Sequence, residues 1–204
     1  MRRWASMGRP RSFEQRAVVV AAKEAFWERG YDATGIADLE AATGLSRSSL
    51  YLAFATKRKL FDHALAEYLD TFVADRLRPL ETPGAGLREV EGYFTELARF
   101  FTEPGGHRGC LMINSIAELS GRDAFFEEGE RFAVRLRAAL SGALNHAARD
   151  GAMSRAQAAR RGEMLTSAAL GAWVAVRADP VAAAAGCRAI AAEVRSWAPA
   201  RPRR

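Results

Sequence analysis

The sequence predicts an all-α protein. Alanine and arginine are abundant among its 204 residues and proline occurs only 7 times, a composition that favours helices over strands. The hydrophobic fraction of 49% is large enough for a buried core and excludes a disordered chain. Apolar residues also recur at spacings of three and four, which gives a helix one apolar face. We expect about nine helices.

The first three predicted helices are closely linked. They extend over 13–29 and over 35–43, and a third, very short helix begins at Ser46. Ser12 and Thr34 are candidate N-caps for the first and second helices, because a short polar side chain can accept a hydrogen bond from the exposed N–H groups there. A glycine follows each of these two helices, as is typical of helix ends.

The remaining helices are mostly longer. A fourth helix is predicted from Lys57 to about Arg78, where Pro79 and the segment TPGAG break the chain. Five further helices are predicted over 87–101, 110–119, 123–149, 154–176 and 180–197. This order of elements indicates a small helical module fused to a larger one.

The second and third helices have the sequence form of a helix-turn-helix, in which a tight turn containing glycine joins two short helices. In that motif the first residues of the second helix contact base edges and phosphates in the major groove. The third helix opens with the polar segment SRSS. Leu50 and Phe54 are four residues apart and are expected to face inward, so that the polar residues face outward. Serine-rich helix starts are also common caps, so this pattern alone leaves DNA binding open.

About fifty residues near the N terminus resemble the N-terminal domain of the tetracycline-repressor (TetR/AcrR) family of bacterial transcription regulators. The segments AAKEAFWERGYDATGIADL, TGLSRSSLY and FATKRKLF carry the resemblance, in that order. It implies a helix-turn-helix DNA-binding domain over 12–58 and an effector-binding and dimerisation domain over 59–198. A flexible basic arm is expected over 1–11 and a basic tail over 199–204.

The resemblance also implies which residues contact DNA. A phosphate is expected at Thr34, where a helix N-terminus favours an anion, and others at Tyr51 and Lys57. Arg47 could bridge guanine O6 and N7 or hold a phosphate. The complete predicted set is Thr34, Ser46, Arg47, Ser48, Ser49, Tyr51 and Lys57.

Four residues depart from the family pattern. Glu40 stands where a small residue is usual, and we expect it to be a solvated charge. Ser48 replaces a frequent glycine, and Leu52 and Ala53 occupy positions that are often aromatic or histidine. These differences preserve the fold but leave the base preference open.

Beyond the fourth helix the resemblance is one of architecture, although HRGCLMINSIAEL is similar to a recurring segment of the family. It implies a pocket for an unidentified small-molecule effector. Apolar pockets with few polar groups hold such ligands, and the same residues could equally be plain core. The candidate residues are Phe72, Tyr93, Leu97, Phe100, Phe101, Met112, Ile116, Phe125 and Phe126.

Stripes of small and apolar residues on the last two helices predict a homodimer interface, because small residues let helices approach closely. A two-fold dimer would bind double-stranded DNA at a palindromic operator. The stripes could instead be buried within one chain. The candidate interface residues are Leu165, Ala168, Ala172, Trp173, Val176, Cys187, Ile190 and Val194.

Cys110 is a candidate sensor thiol. It is predicted to begin a helix close to Arg108, and both features would favour the reactive thiolate. The alternative is a buried small hydrophobic residue. His107 lies near Cys110 but a glycine intervenes, and the other histidines have no partner at ligand spacing, so we expect no metal and no cofactor.

The charge distribution suits a polyanionic partner. Residues 1–62 carry 11 Lys and Arg against 7 Asp and Glu, whereas the rest of the chain carries 19 against 17. The N-terminal segment lacks the apolar region of a signal peptide, and the longest apolar stretch is too short to span a bilayer. Two irregularly spaced cysteines do not form a disulfide framework. A cytoplasmic protein with no membrane partner is expected.

These observations predict a dimeric, sequence-specific transcriptional regulator rather than an enzyme. We expect it to be a repressor released by a small-molecule effector or by thiol modification at Cys110. One alternative is a small helical enzyme with Cys110 as nucleophile and His107 as base, although no third group orients them. Another is an architectural DNA-binding protein without effector control, although DNA binding alone does not need the long second domain.

Overall fold

The computed structural model describes residues 11–119 and 126–198, and it describes side chains over 15–119 and 129–198. These residues form ten α-helices and no strand, so the predicted all-α fold is confirmed. The helices are α1 (Arg11–Arg29), α2 (Ile36–Thr43), α3 (Arg47–Phe54), α4 (Lys57–Tyr68), α5 (Ala74–Glu81), α6 (Leu87–Phe101), α7 (Leu111–Leu119), α8 (Phe126–Arg149), α9 (Arg155–Ala175) and α10 (Pro180–Ser196).

The helix count exceeds the prediction because the expected fourth helix has two parts. A π-helical segment, Leu69–Val73, separates α4 from α5. Pro79 was expected to break the chain, but it lies inside α5, which continues to Glu81. A proline removes one backbone donor, and near the end of a helix this loss affects a single turn.

Two helix starts also differ from the prediction. The first helix begins at Arg11, so Ser12 lies within it and is not its N-cap. The second helix begins at Ile36 with Gly35 as its N-cap, instead of Thr34. The Asp38 carboxylate accepts a hydrogen bond from the Gly35 N–H at 2.8 Å, and this bond replaces the expected threonine cap.

The chain divides into two compact units between Asp70 and Thr71. The first unit contains α1 to α4, because α4 packs against α1. The division by function after Arg58 stays a prediction, since packing alone does not say which residues contact DNA. The predicted arm, apart from Arg11, and the tail over 199–204 lie outside the described residues.

Aromatic side chains form the core of the first unit. Phe26 of α1 and Phe61 of α4 are fully buried, and their ring centroids are 5.1 Å apart in an edge-to-face arrangement. Trp27 and Tyr68 make a second edge-to-face pair at 5.0 Å. These pairs join α1 to α4 and provide the support on which α2 and α3 pack.

The second unit is built mainly from two helix pairs, α6 with α10 and α8 with α9. Exposed ion pairs connect the same helices: Arg195 contacts Glu91 at 2.6 Å, and Arg137 contacts Glu163 at 3.1 Å. Exposed pairs of this kind contribute little stability. The buried apolar faces of the four helices therefore provide most of it.

The loop GGHRG between α6 and α7 requires glycine at two positions. A Cβ atom at Gly106 would lie 2.0 Å from the Phe100 carbonyl oxygen, so the close approach excludes any side chain. Gly109 has a φ of +73° and lies against the Trp173 backbone, a conformation that favours glycine. These contacts hold the loop against the core of the second unit.

Candidate nucleic-acid interface

The N-terminus of α3 is capped from two directions. The Ser46 hydroxyl accepts a hydrogen bond from the Ser49 N–H at 3.3 Å, as expected for an N-cap. The Glu40 carboxylate of α2 accepts one from the Arg47 N–H at 2.6 Å. The expectation that Glu40 is merely a solvated charge was wrong, because this carboxylate satisfies a donor at the positive end of α3.

The two faces of α3 are oriented as predicted. Leu50 is 4% exposed and Phe54 is 5% exposed, so both side chains are buried in the first unit. The opposite side of α3 is exposed to solvent. Its exposed residues are Arg47, Ser48, Ser49, Tyr51, Leu52 and Ala53.

Thr34 lies inside the first unit. The residue is fully buried, and its hydroxyl donates a hydrogen bond to the Gly30 carbonyl oxygen at 2.5 Å. Thr34 therefore fixes the turn after α1. Its predicted phosphate contact is not supported by this geometry, because the hydroxyl does not reach the surface.

Lys57 opens α4 and rests on an aromatic ring. Its ammonium nitrogen lies 4.4 Å from the Tyr31 ring centroid, and the Tyr31 ring packs edge-on against Phe61 at 4.9 Å. The guanidinium of Arg47 likewise lies 5.6 Å from the Tyr51 ring centroid. Cation–π contacts restrict both basic side chains, and neither contact was predicted from the sequence.

The predicted effector-pocket residues separate into core and partly exposed groups. Leu97, Phe101 and Met112 are buried, and Phe72, Phe100 and Ile116 are half-buried. Phe125 and the side chain of Phe126 lie outside the described residues.

Trp173 is central to the aromatic cluster of the second unit, although the sequence assigned it to the dimer interface. Its ring centroid is 5.0 Å from Phe101, 5.8 Å from Phe100 and 6.2 Å from Phe72. The Arg76 guanidinium lies over Phe72, 3.4 Å from the ring centroid.

A cleft of about 610 Å³ lies beside this cluster, between α5 and α6. Two of the predicted pocket residues, Tyr93 and Leu97, line it, together with charged side chains such as Arg76 and Glu96. Burial raises the pKa of the Tyr93 phenol, and a hydrogen bond with Trp173 partly opposes that shift.

Both cysteines are buried. Cys110 is 1% exposed and precedes α7, which begins at Leu111. Cys110 is therefore a buried small hydrophobic residue, the second of the two possibilities, and its thiol is not accessible. His107, by contrast, is exposed. Cys187 is fully buried, and this burial raises the pKa of its thiol to about 11.

The predicted dimer stripe is mostly an inner surface. Three of its residues are half-buried: Ala168, Ala172 and Ile190. The other five are at most 3% exposed in a single chain: Leu165, Trp173, Val176, Cys187 and Val194. Their burial follows from the packing of α9 on α8 and of α10 on α6.

The exposed sides of α9 and α10 carry a different set of small and apolar residues. We call this set the outer α9–α10 face. Its members are Met164, Ser167, Gly171 and Val174 on α9, and Val181, Ala185, Ala189 and Ala192 on α10. On each helix they are three or four residues apart, which is the spacing of one helix face.

Among the residues that the structure describes, no group of three His, Cys, Asp or Glu side chains is placed to hold a metal ion. None of the ten helices described combines the length and the hydrophobicity of a membrane span.

Comparison with known proteins identifies the N-terminal helices. Residues 18–64 match the family described as bacterial regulatory proteins, tetR family. The chain is 37% identical over 116 residues to the HTH-type transcriptional repressor ComR of Escherichia coli strain K12, covering 56% of this chain and 55% of ComR. It is 38% identical over 112 residues to the repressor BdcR of the same strain, covering 53% and 55%. It thus spans about half the length of these relatives.

Solved structures share the fold over most of the chain. A cysteine mutant of the TetR family transcriptional regulator CifR, complexed with 26-base-pair double-strand operator DNA, superposes with a TM-score of 0.71 and 25% identity. The match covers 93% of this chain and all of that one. A TetR transcriptional regulator from Chloroflexus aurantiacus J-10-FL gives 0.76 at 20% identity, covering 91% and 94%. The N-terminal helices therefore match the tetR family of bacterial regulatory proteins over residues 18–64, and the chain shares the fold of solved TetR-family regulators over most of its length.

Proposed function

We propose that the protein is a sequence-specific DNA-binding repressor of transcription. The observation that carries the proposal is the orientation of α3, whose buried Leu50 and Phe54 leave a continuous outer face with hydroxyls and a guanidinium. A recognition helix needs such a face to enter the major groove. The repressor names of ComR and BdcR and the operator complex of CifR support the same function. It would act in the cytoplasm, where bacterial DNA lies.

The proposed DNA contacts are residues that solvent reaches: five of them are exposed, and Lys57 is half-buried. Ser46, Ser48 and Ser49 present short donors to base edges, while Arg47, Tyr51 and Lys57 reach base edges or phosphates. Phosphate contacts set the register of the protein on the duplex, and base contacts supply specificity. Thr34 would act by holding the turn after α1 and not by contacting DNA.

We place the homodimer interface on the outer α9–α10 face. Its Gly171 and Ala185 have no bulky side chains, so helices of two copies could pack closely. Met164 and Val174 are 51% and 59% exposed, and a second copy would bury them. A two-fold dimer would present two α3 helices to a palindromic operator.

Release by a small molecule is the regulation that the second unit supports. The cleft of about 610 Å³ has a volume within the range of ligand pockets, and its mainly charged lining differs from the apolar pocket expected from the sequence. The effector would bind the dimer conformation whose two α3 helices do not match the operator, and would so deplete the DNA-binding form. We favour a reversible ligand over modification of Cys110, because the thiol is buried. The same burial disfavours an enzyme that uses Cys110 with the exposed His107.

Selection of bound duplexes from a random pool would test this function. We expect the protein to enrich a palindromic site and to retard it in a gel at moderate salt. Failure to retain any duplex, even at low ionic strength, would refute DNA binding. Retention of all duplexes with equal affinity would instead favour an architectural protein.

A further inference from the structure

Leu52 lies at the centre of the exposed face of α3. Its side chain is 91% exposed, the largest fraction among the large apolar residues of the described chain. An α-helix turns by about 100° per residue, and Leu52 lies two residues from each of the buried residues Leu50 and Phe54. The Leu52 side chain therefore points directly away from the core of the first unit.

The neighbours of Leu52 divide this face into a centre and an edge. Ser48 precedes Leu52 by one helical turn and shares the centre. Tyr51 is rotated from Leu52 by about 100° and lies at one edge, and Arg47, the first residue of α3, is rotated by about 140° beyond the same edge. In a helix that enters the major groove, central residues meet base edges and edge residues meet the sugar–phosphate backbone.

The chemistry of leucine restricts what it can contact there. Single exposed leucines are common on protein surfaces, so exposure alone carries no function. Leu52, however, is the large aliphatic residue at the centre of the face proposed to meet DNA, among the hydroxyls of Ser48 and Ser49. Ala53, the small apolar residue that is also exposed, is rotated from Leu52 by about 100° and lies at an edge. Leucine neither donates nor accepts hydrogen bonds, and the apolar group that base pairs present in the major groove is the 5-methyl group of thymine.

We propose that Leu52 determines specificity by contacting the 5-methyl group of a thymine in each half-site of the operator. This inference rests on the proposed function. It adds to the predicted DNA contacts a residue that recognises a base by apolar contact, without a hydrogen bond. The serines beside Leu52 would bind polar groups on adjacent base edges.

Replacement of thymine by uracil tests this contact, because uracil lacks only the 5-methyl group. Each thymine of the selected operator is replaced in turn, symmetrically in both half-sites, and affinity is measured by fluorescence anisotropy. We expect one position at which the replacement weakens binding by about fourfold per half-site, the effect of one buried methyl group. At the same position, an operator with 5-methylcytosine should bind more tightly than one with cytosine, because it regains the methyl group.

Variants assign the effect to Leu52. Leu52→Ala should bind the thymine and uracil operators equally, whereas Leu52→Met should still prefer thymine. Val134→Ala serves as the matched control, because Val134 is also an exposed apolar residue, at 53%, but lies on α8. It should behave as the unmodified protein. Because Leu52 is almost fully exposed, its replacement should not change the thermal unfolding temperature.

The outcomes separate this inference from the proposed function. If the protein binds a selected operator but no thymine replacement matters, Leu52 does not read a methyl group. The same holds if Leu52→Ala keeps the preference for thymine. If no duplex is bound at all, the proposed function fails first and this inference fails with it.

Discussion

The outer face of α3 and the outer α9–α10 face expose different chemistry. The first presents several hydroxyls, a guanidinium and one leucine, while the second presents alanine, glycine, valine and methionine with a single serine, Ser167. Hydroxyl and guanidinium groups can bond to phosphates and base edges, whereas small apolar groups allow close packing of helices. This contrast is our reason for assigning DNA to the first face and a second copy of the chain to the other.

A large side chain on the outer α9–α10 face should have the largest effect. Gly171→Arg introduces a charge where a Cβ atom meets nothing within 4 Å, so the single chain should still fold. The dimer should dissociate, as measured by sedimentation velocity. Operator affinity should fall by about a hundredfold or more, because a monomer loses the second half-site.

Gly142→Arg is the matched control for this variant. Gly142 is another exposed glycine in a helix, α8, and its Cβ position is equally open. It should leave both the dimer and operator binding unchanged. A Gly171→Arg protein that remains dimeric would contradict the assignment of this face.

Loss of the guanidinium on α3 should have the next largest effect. Arg47→Ala should weaken operator binding by about fivefold per half-site if Arg47 reads a guanine, with relaxed preference at one base. If Arg47 holds a phosphate, it should instead lower the slope of log affinity against log salt by about one per site. Titrations at several salt concentrations distinguish these results, and unchanged affinity would remove Arg47 from the interface.

Loss of the carboxylate that caps α3 should have a smaller effect. Glu40→Ala leaves the Arg47 N–H without its protein acceptor and should lower the free energy of unfolding by about 1 kcal/mol. Urea denaturation measures this change. Glu40→Gln keeps an acceptor oxygen and should recover part of the loss. Equal stability of the alanine variant and the unmodified protein would show that the cap is not needed.

The smallest predicted effect concerns the buried side of α10. Burial raises the Cys187 pKa from 9.0 to about 11. Between these two pH values the thiol stays protonated in the folded state but ionises in the unfolded chain. Stability should therefore fall as pH rises above 9, by about 0.8 kcal/mol between pH 7 and 9.5. Cys187→Ala should remove this part of the pH dependence. An unchanged slope in the variant would indicate that Cys187 ionises as easily in the folded state.

The contrast between the two faces also explains what could be predicted from the sequence. In α3, Leu50 and Phe54 are four residues apart and share one face, whereas Leu52 stands alone on the opposite side, so the side that packs inward is predictable. In α9 and α10, alanines occur on every side, and Val174 is exposed while Val176 is buried. Periodicity cannot separate burial within a chain from burial between chains when both faces are apolar.

Other features of the site depend on tertiary geometry. Glu40 reaches the Arg47 N–H only because the turn between α2 and α3 brings them together. Tyr31 supports Lys57 across a long sequence separation, and Trp173 enters an aromatic cluster drawn from several helices. The helix order and most helix bounds were predictable, because local spacing and caps determine them, whereas these contacts were not.

The ring beneath Lys57 affects how this protein could be redesigned. A lysine that already rests on Tyr31, itself packed on Phe61, loses less side-chain freedom when it reaches a phosphate. Exchanges at the exposed positions of α3 leave that support untouched. The phosphate contact proposed for Lys57 should therefore survive exchanges on α3 that alter the base preference.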